Sequence, residues 1–506
     1  MPRRAALWLC GAALVIGLLG DQLLRPAPWG AGAAAWLLLS IGTALVAARA
    51  ARRTGLPALT ALLLTAACFA TCLAWRDATR LKGWNVLAGC AALTLGLLQL
   101  GNLRLRVTGL VDYVAESASA GFRAAVGPIV LLGSDLIDRA TGGRPAHGRM
   151  RAVVLGIVVA IPIIIVFGAL LASADPVFER LTRLLVDWDL ERLLSHLIVI
   201  GIVSWLAAGY LRSVVVAGPE RSRPLVALGS PTWGAVEIGI PLAALTVLFL
   251  AFVVVQARYL FGGEDLIRST VGLTYAEYAR RGFFELVTVA GLVLPLLMAG
   301  EWSLNASDRS AARVFRIVAT LILLLVGLII ASAAIRLRLY RAAYGLTQGR
   351  LYAAAVMVWI ASALAWFGAT VLRGHRKRFV FGAIIAGFAV VAGMNVLNPD
   401  AVIARANLLQ ASRGEELDAL YLERLGADAT PALAAALASL TLPERCALTR
   451  HLAEQYRKRQ QSDWRSWSLG RSRADGVFGG VSAALRACAG TALGEGDTRA
   501  PSVGVQ

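Results

Sequence analysis

Lysine is nearly missing from this chain: Lys82, Lys377 and Lys458 stand among 50 basic side chains, the rest of which are arginines. Charge of either sign is scarce, at 16% of 506 residues against roughly a quarter in an ordinary soluble domain, while 58% are hydrophobic. A soluble fold of this size cannot hide that much apolar surface. Histidine numbers four, scattered, and there is no His-Glu-x-x-His, no clustered Cys/His set, no Gly-x-x-x-x-Gly-Lys-Ser/Thr and no Gly-x-Ser-x-Gly. A His-rich metal site is thereby disfavoured, ATP hydrolysis is unsupported, and neither a catalytic residue nor a cofactor is assigned.

What is present is a series of apolar blocks of about 18 to 25 residues, the length a helix needs to cross some 30 Å of hydrocarbon. They lie near 5–24, 31–48, 56–75, 84–101, 152–174, 193–217, 234–257, 283–300, 313–335, 351–372 and 379–397. The expected fold is all-α: a polytopic bundle of about eleven transmembrane helices, between ten and twelve, with a small helical soluble region at the C-terminus. Residues 1–101 read as a first group of four helices, 102–151 as a cytoplasmic connection and 152–398 as a core of about seven helices. The tail, 399–490, has 13 basic residues against 12 acidic ones when counted to residue 506, and should fold in water; 491–506 is Gly-, Ala- and Pro-rich and reads as disordered.

The net charge of +19 would suggest nucleic acid in a soluble protein. Here many arginines sit in short loops, where they fix topology and meet anionic headgroups, so the expected partner is the lipid bilayer and not nucleic acid. With the N-terminus in the cytoplasm, Arg49, Arg52, Arg53, Arg212, Arg221, Arg223, Arg373, Arg376, Lys377 and Arg378 fall inside, and an odd helix count puts the tail outside. One loop disagrees, because Arg336, Arg338, Arg341 and Arg350 would then face outward. Four cysteines (Cys10, Cys68, Cys72, Cys90) lie in apolar blocks and read as small hydrophobes. A disulfide between Cys446 and Cys488 requires an oxidising compartment, and spacing alone does not establish it.

Several strings resemble a family of bacterial integral-membrane proteins known as domain of unknown function 4173, related to 4153. They are Leu-Ala-Ser-Ala-Asp-Pro-Val-Phe at 171–178, Phe-Val-Val-Val-Gln-Ala-Arg-Tyr-Leu-Phe-Gly-Gly at 252–263 and Gly-Leu-Thr-Tyr-Ala-Glu-Tyr-Ala-Arg-Arg-Gly-Phe-Phe-Glu-Leu at 272–286. Leu-Asn-Pro-Asp-Ala-Val-Ile-Ala-Arg at 397–405 and Asp-Trp-Arg-Ser-Trp-Ser-Leu-Gly-Arg at 463–471 are similar to its later stretches. The resemblance runs from about 150 to 475. It implies a family and no activity; the expected location is the cell membrane, in a bacterium the inner one.

Candidate functional residues gather at the 256–285 loop: Gln256, Arg258, Tyr259, Gly262, Gly263, Glu277, Tyr278, Arg280, Arg281 and Glu285. They could form a substrate gate or partner-docking surface, the glycines permitting turns that other residues resist. Equally, they could be an interfacial aromatic belt with paired headgroup charges. Ionisable or polar groups inside spans are the second set, because each is costly there unless paired or hydrated. Glu237 and His196 lie about one turn inside their helices, and Asn395 near the end of the last one, where a polar helix exit before Pro399 is the alternative. In the tail, Trp464, Arg465, Trp467, Arg471 and Arg473 suit either anionic lipid or a Trp-faced helix docking onto the rest of the tail.

Three functions fit this pattern. A non-enzymatic module for sensing, regulation or assembly would engage a protein partner through outer loops or tail. A transporter or flippase would bring Glu237, Glu285 and Asn395 together on a cavity. A transferase would use Asp175 or Glu264 as a base.

Overall fold

The computed structural model describes residues 1–26, 28–101, 103–137, 188–216, 233–261, 283–304, 308–413 and 418–494, with a few positions between 156 and 175. It is all-α; among the described residues the only β-type pairing is one isolated bridge, Trp233 with Leu304. Ten of the described helices are long and apolar enough to cross a membrane. They are α1 (Arg3–Leu24), α2 (Ala31–Ala50), α3 (Leu56–Trp75), α4 (Thr79–Leu100), α6 (Trp188–Val216), α7 (Ala235–Phe261), α8 (Phe283–Ser303), α9 (Arg309–Tyr344), α10 (Gln348–Thr370) and α11 (Phe379–Leu397). Helix α5 (Leu110–Val130) carries Asp112, Glu116 and Arg123 and is not among the ten. The apolar block at 152–174 lies mostly outside the described residues.

Polar contacts define the two faces of the bundle. On the amino-terminal face the terminal ammonium and Arg212 both reach Asp135, Arg376 pairs with Glu301, and the Trp233 amide donates to the Ser303 carbonyl. On the opposite face, here the tail face, the α1–α2, α3–α4 and α9–α10 turns meet the C-terminal region. Between the faces the helices expose mid-span side chains such as Leu64 (64%), Leu87 (69%) and Leu324 (63%). Exposed apolar area on that scale belongs against lipid.

Among the described residues two large apolar cores hold the bundle, with a smaller cluster around Leu81, Tyr352 and Met394. One joins α1, α2, α3 and α6 around Leu9, Ile16, Ala44, Leu63 and Leu211; the other joins α7 to α11 around Leu297, Ile322, Ile329 and Phe367, and α4 contributes to both. Small residues let α6 come close to its neighbours. A Cβ on Gly209 would fall 1.8 Å from the Ala124 carbonyl oxygen of α5, so only glycine fits.

Helix α11 ends at Asn398, which adopts a left-handed conformation (φ 58°) that asparagine tolerates, and Pro399 starts α12 (Pro399–Ala411) at its first turn. The tail then builds its own core on the tail face from α12, α13 (Thr430–Ala436), α14 (Leu442–Gln460) and α16 (Phe478–Gly494), around Ile403, Leu433, Leu448 and Val481, with α15 (Leu469–Gly476) alongside. A Thr441/Glu444 capping box opens α14, and a Cys446–Cys488 disulfide ties α14 to α16.

Candidate functional site

The tail is fastened to the membrane domain by a buried knot of charge centred on the α3–α4 turn. Helix α3 stops at Trp75, and Arg76, in extended conformation, stacks its guanidinium 4.4 Å from the Trp75 ring centroid. Its Nε donates to the Asn395 carbonyl at 2.7 Å, satisfying one of the orphan acceptors at the end of α11. Next to it, Asp77 accepts from Lys82 Nζ at 2.8 Å and from Arg471 Nε, in α15, at 3.0 Å. The Asp77 amide donates to Asp428 Oδ2 at 2.6 Å, and Arg76 stands 3.8 Å from the other oxygen of Asp428.

Asp400, in the first turn of α12 and fully buried, accepts from Gln348 Nε2 and from the Gly426 amide, both at 2.9 Å. Three carboxylates (Asp77, Asp400, Asp428) thus share the knot with three cations (Arg76, Lys82, Arg471), all nine-tenths buried or nearly so. Burial pushes both Asp400 and Asp428 above the usual carboxylate range. Hydrogen bonds from Gln348 and Gly426 pull Asp400 back, and the Asp77 amide and Arg76 do the same for Asp428. The packing leaves no slack: a Cβ on Gly470 would lie 2.4 Å from Asp428 Oδ1.

Just beneath, Asn85 of α4 and Asn395 of α11 exchange side-chain amide bonds at 3.0 and 2.7 Å, each 1% exposed. A second fastening lies at the α1–α2 turn, where the Ala31 amide donates to the Trp467 carbonyl at 2.8 Å and Arg465 donates to the Gln22 carbonyl. Close by, Asp21 of α1 accepts from Arg25 Nε at 2.6 Å and lies 2.5 Å from His196 Nδ1.

The sequence-predicted residues distribute unevenly over this geometry. Asn395 is in the knot and His196 in the Asp21 pair. Glu237 sits on the amino-terminal face, where Oε2 accepts from the Gly234 amide at 3.1 Å and caps its own helix. Glu285 is exposed in the first turn of α8, on the tail face. Gln256 is buried near the end of α7, and its Nε2 has no hydrogen-bond partner among the described residues. The side chains of Arg258 and Tyr259, and Gly262, Gly263, Glu277, Tyr278, Arg280 and Arg281 altogether, lie outside the described residues. In the tail, arginines and backbone make the docking contacts, while the Trp464 and Trp467 rings remain 67% and 48% exposed. The Trp-faced docking expected from the sequence is therefore replaced by Arg and main-chain contacts to the α1–α2 turn.

Asp77, Asp400, Asp428, Lys82, Asn85 and Asp21 were not singled out as site residues by sequence reasoning. The available signals were Asn85 inside an apolar block, Lys82 just before it, and Arg-Asp at the foot of the preceding block. Among the described residues no three His, Cys, Asp or Glu side chains gather as a metal would require.

In a comparison with protein families the chain matches the model described as Domain of unknown function (DUF4153) over residues 59–436. The match takes in the α3–α4 turn, Asn395, Asp400 and Asp428 and stops short of Arg471; of the two families named from the sequence it shows 4153, and 4173 is not shown. No curated protein and no solved structure matches the chain.

Proposed function

Because the chain belongs to the family described as Domain of unknown function (DUF4153), whose description carries no activity, we propose from its own geometry that it is a non-enzymatic membrane module. In this reading a folded tail, held rigidly on one face of the bundle, presents a surface to a protein partner. The observation that carries it is the balanced, buried knot: the tail's internal charges turn towards the helix ends and tie four of them together. A transporter would bring Glu237, Glu285 and Asn395 together. Here Glu237 and Glu285 lie on opposite faces and Asn395 is paired with Asn85.

The reading includes a place in the cell membrane with the N-terminus in the cytoplasm and the tail outside. Supporting it, Arg49, Arg52, Arg53, Arg212, Arg376, Lys377 and Arg378 belong to the amino-terminal face. The Cys446–Cys488 disulfide suits an oxidising compartment on the other side.

Mass spectrometry of the gently purified full chain tests the proposal. A protein partner is expected at fixed stoichiometry and should be lost when Asp77→Asn loosens the tail. A solute retained reproducibly with no protein partner would overturn the reading in favour of transport.

A further inference from the structure

The four arginines that break the positive-inside pattern separate into two pairs. Arg336 and Arg350 are buried within the protein, and the Arg350 guanidinium donates to the Tyr344 and Gly345 carbonyls and lies 3.8 Å over the Tyr340 ring. Arg338 and Arg341 are exposed, one turn apart, where α9 leaves the membrane: its apolar span ends at Arg338 and the helix continues to Tyr344.

Helix α12 runs past this projecting end and is fixed to it. Asn407 brackets Leu346, accepting from its amide at 2.7 Å and donating to its carbonyl at 2.9 Å, and Gln410 donates to the Arg341 carbonyl at 3.2 Å. Between the two helices is a cleft of about 280 Å³ lined by Arg338, Arg341, Ala406, Leu409, Gln410 and Arg413. Three guanidiniums face one space with no carboxylate among its described lining residues, and none of the three takes part in a side-chain hydrogen bond or ion pair among the described residues. Elsewhere on the same face Arg25, Arg76, Arg465 and Arg471 all have aspartate partners.

From this convergence we propose that the cleft binds a phosphate-bearing anion at headgroup depth. Guanidinium forks match phosphate oxygens two at a time, and three of them offer positive charge to a phosphate that no described carboxylate of the lining meets first. The level of the cleft, at the end of a span, and the 55% exposed Leu409 on its rim favour an anionic phospholipid, whose glycerol and upper acyl carbons would lie against that leucine. Free inorganic phosphate shares the recognition chemistry.

The test uses the full chain with Arg341→Gln/Arg413→Gln, and with Arg413→Gln alone because that exposed residue lies beyond the end of α12. Arg309→Gln, on the other face, controls for general loss of charge. Wild-type and variant proteins are reconstituted in nanodiscs of phosphatidylcholine with a minority of phosphatidylglycerol, and the lipid retained after detergent extraction is measured. Detergent-solubilised protein stripped of lipid is separately titrated with inorganic phosphate while its melting is followed.

Phosphatidylglycerol enriched on the wild type, and lowered about tenfold in the double variant but not in Arg309→Gln, would place the phosphate on a lipid. Stabilisation by inorganic phosphate without lipid enrichment, abolished by the same variants, would place it on a free anion. Equal lipid retention in all four proteins with no phosphate response overturns the proposal.

Discussion

Two clusters of arginine occupy the tail face, and they differ in balance. In the knot at the α3–α4 turn every cation has a carboxylate, the groups are buried, and the contacts of Asp77 with Asp428 and Arg471 join residues more than 300 positions apart. In the cleft between α9 and α12 the cations are exposed and have no acid beside them among the described lining residues. A compensated cluster taken out of water holds a structure in one arrangement, since breaking one partner strands another. An uncompensated cluster left in contact with water is available to an anion from outside the chain. The same residue type thus serves cohesion in one place and recognition in the other.

Breaking the knot should have the largest effect. Asp77→Ala leaves Lys82 and Arg471 buried without their common partner and should cost about 3–5 kcal/mol of tail attachment, read as lost hydrogen-exchange protection in α12 and α15. The Arg413→Gln change in the cleft should leave that protection unaltered, which separates the two clusters directly.

Removing the disulfide comes next. Cys446→Ser/Cys488→Ser opens a 42-residue connection and should lower the stability of α14 and α16 by about 2–4 kcal/mol in thermal unfolding, with the knot's protection reduced far less. Asn85→Ala strands the Asn395 amide and should cost about 1–3 kcal/mol; the double variant with Asn395→Ala should cost less than the sum of the two singles.

The smallest effect is that of pH. Burial raises Asp400 and Asp428, so the docked tail binds more protons than the released tail between the ordinary carboxylate value and the raised one. Attachment is therefore strongest at the acid end of that window and weakens as pH rises through it. Protection of α12, corrected for intrinsic exchange, should hold or grow slightly from about pH 7 to about pH 5. A fall over that range would show that the paired state depends on both acids being ionised.

The bundle was legible in the sequence because hydrocarbon thickness sets helix length. The 56–75 and 379–397 blocks coincide with α3 and α11. The 313–335 block underestimated α9, which continues to Tyr344 as an arginine-bearing projection that hydropathy does not register. The knot was much less legible. Asn395 stood out as a polar group in an apolar run, but its partner Asn85 is 310 residues away, and nothing local marks Asp77 or Asp428 as facing one another. Helix pairing was equally hidden, since α6 leans on α1 through Gly17, where a Cβ would meet Ser204 Oγ, and a lone glycine in an apolar helix does not name its neighbour.

A double-mutant cycle between Asp77→Asn and Arg471→Gln, read by hydrogen exchange in the tail of the full chain, tests the central claim that the tail is clamped through this knot. The account predicts a coupling of at least about 1 kcal/mol, with the double variant scarcely worse than either single. Independent, additive effects of the two substitutions, with tail protection near that of the wild type in each, would contradict it.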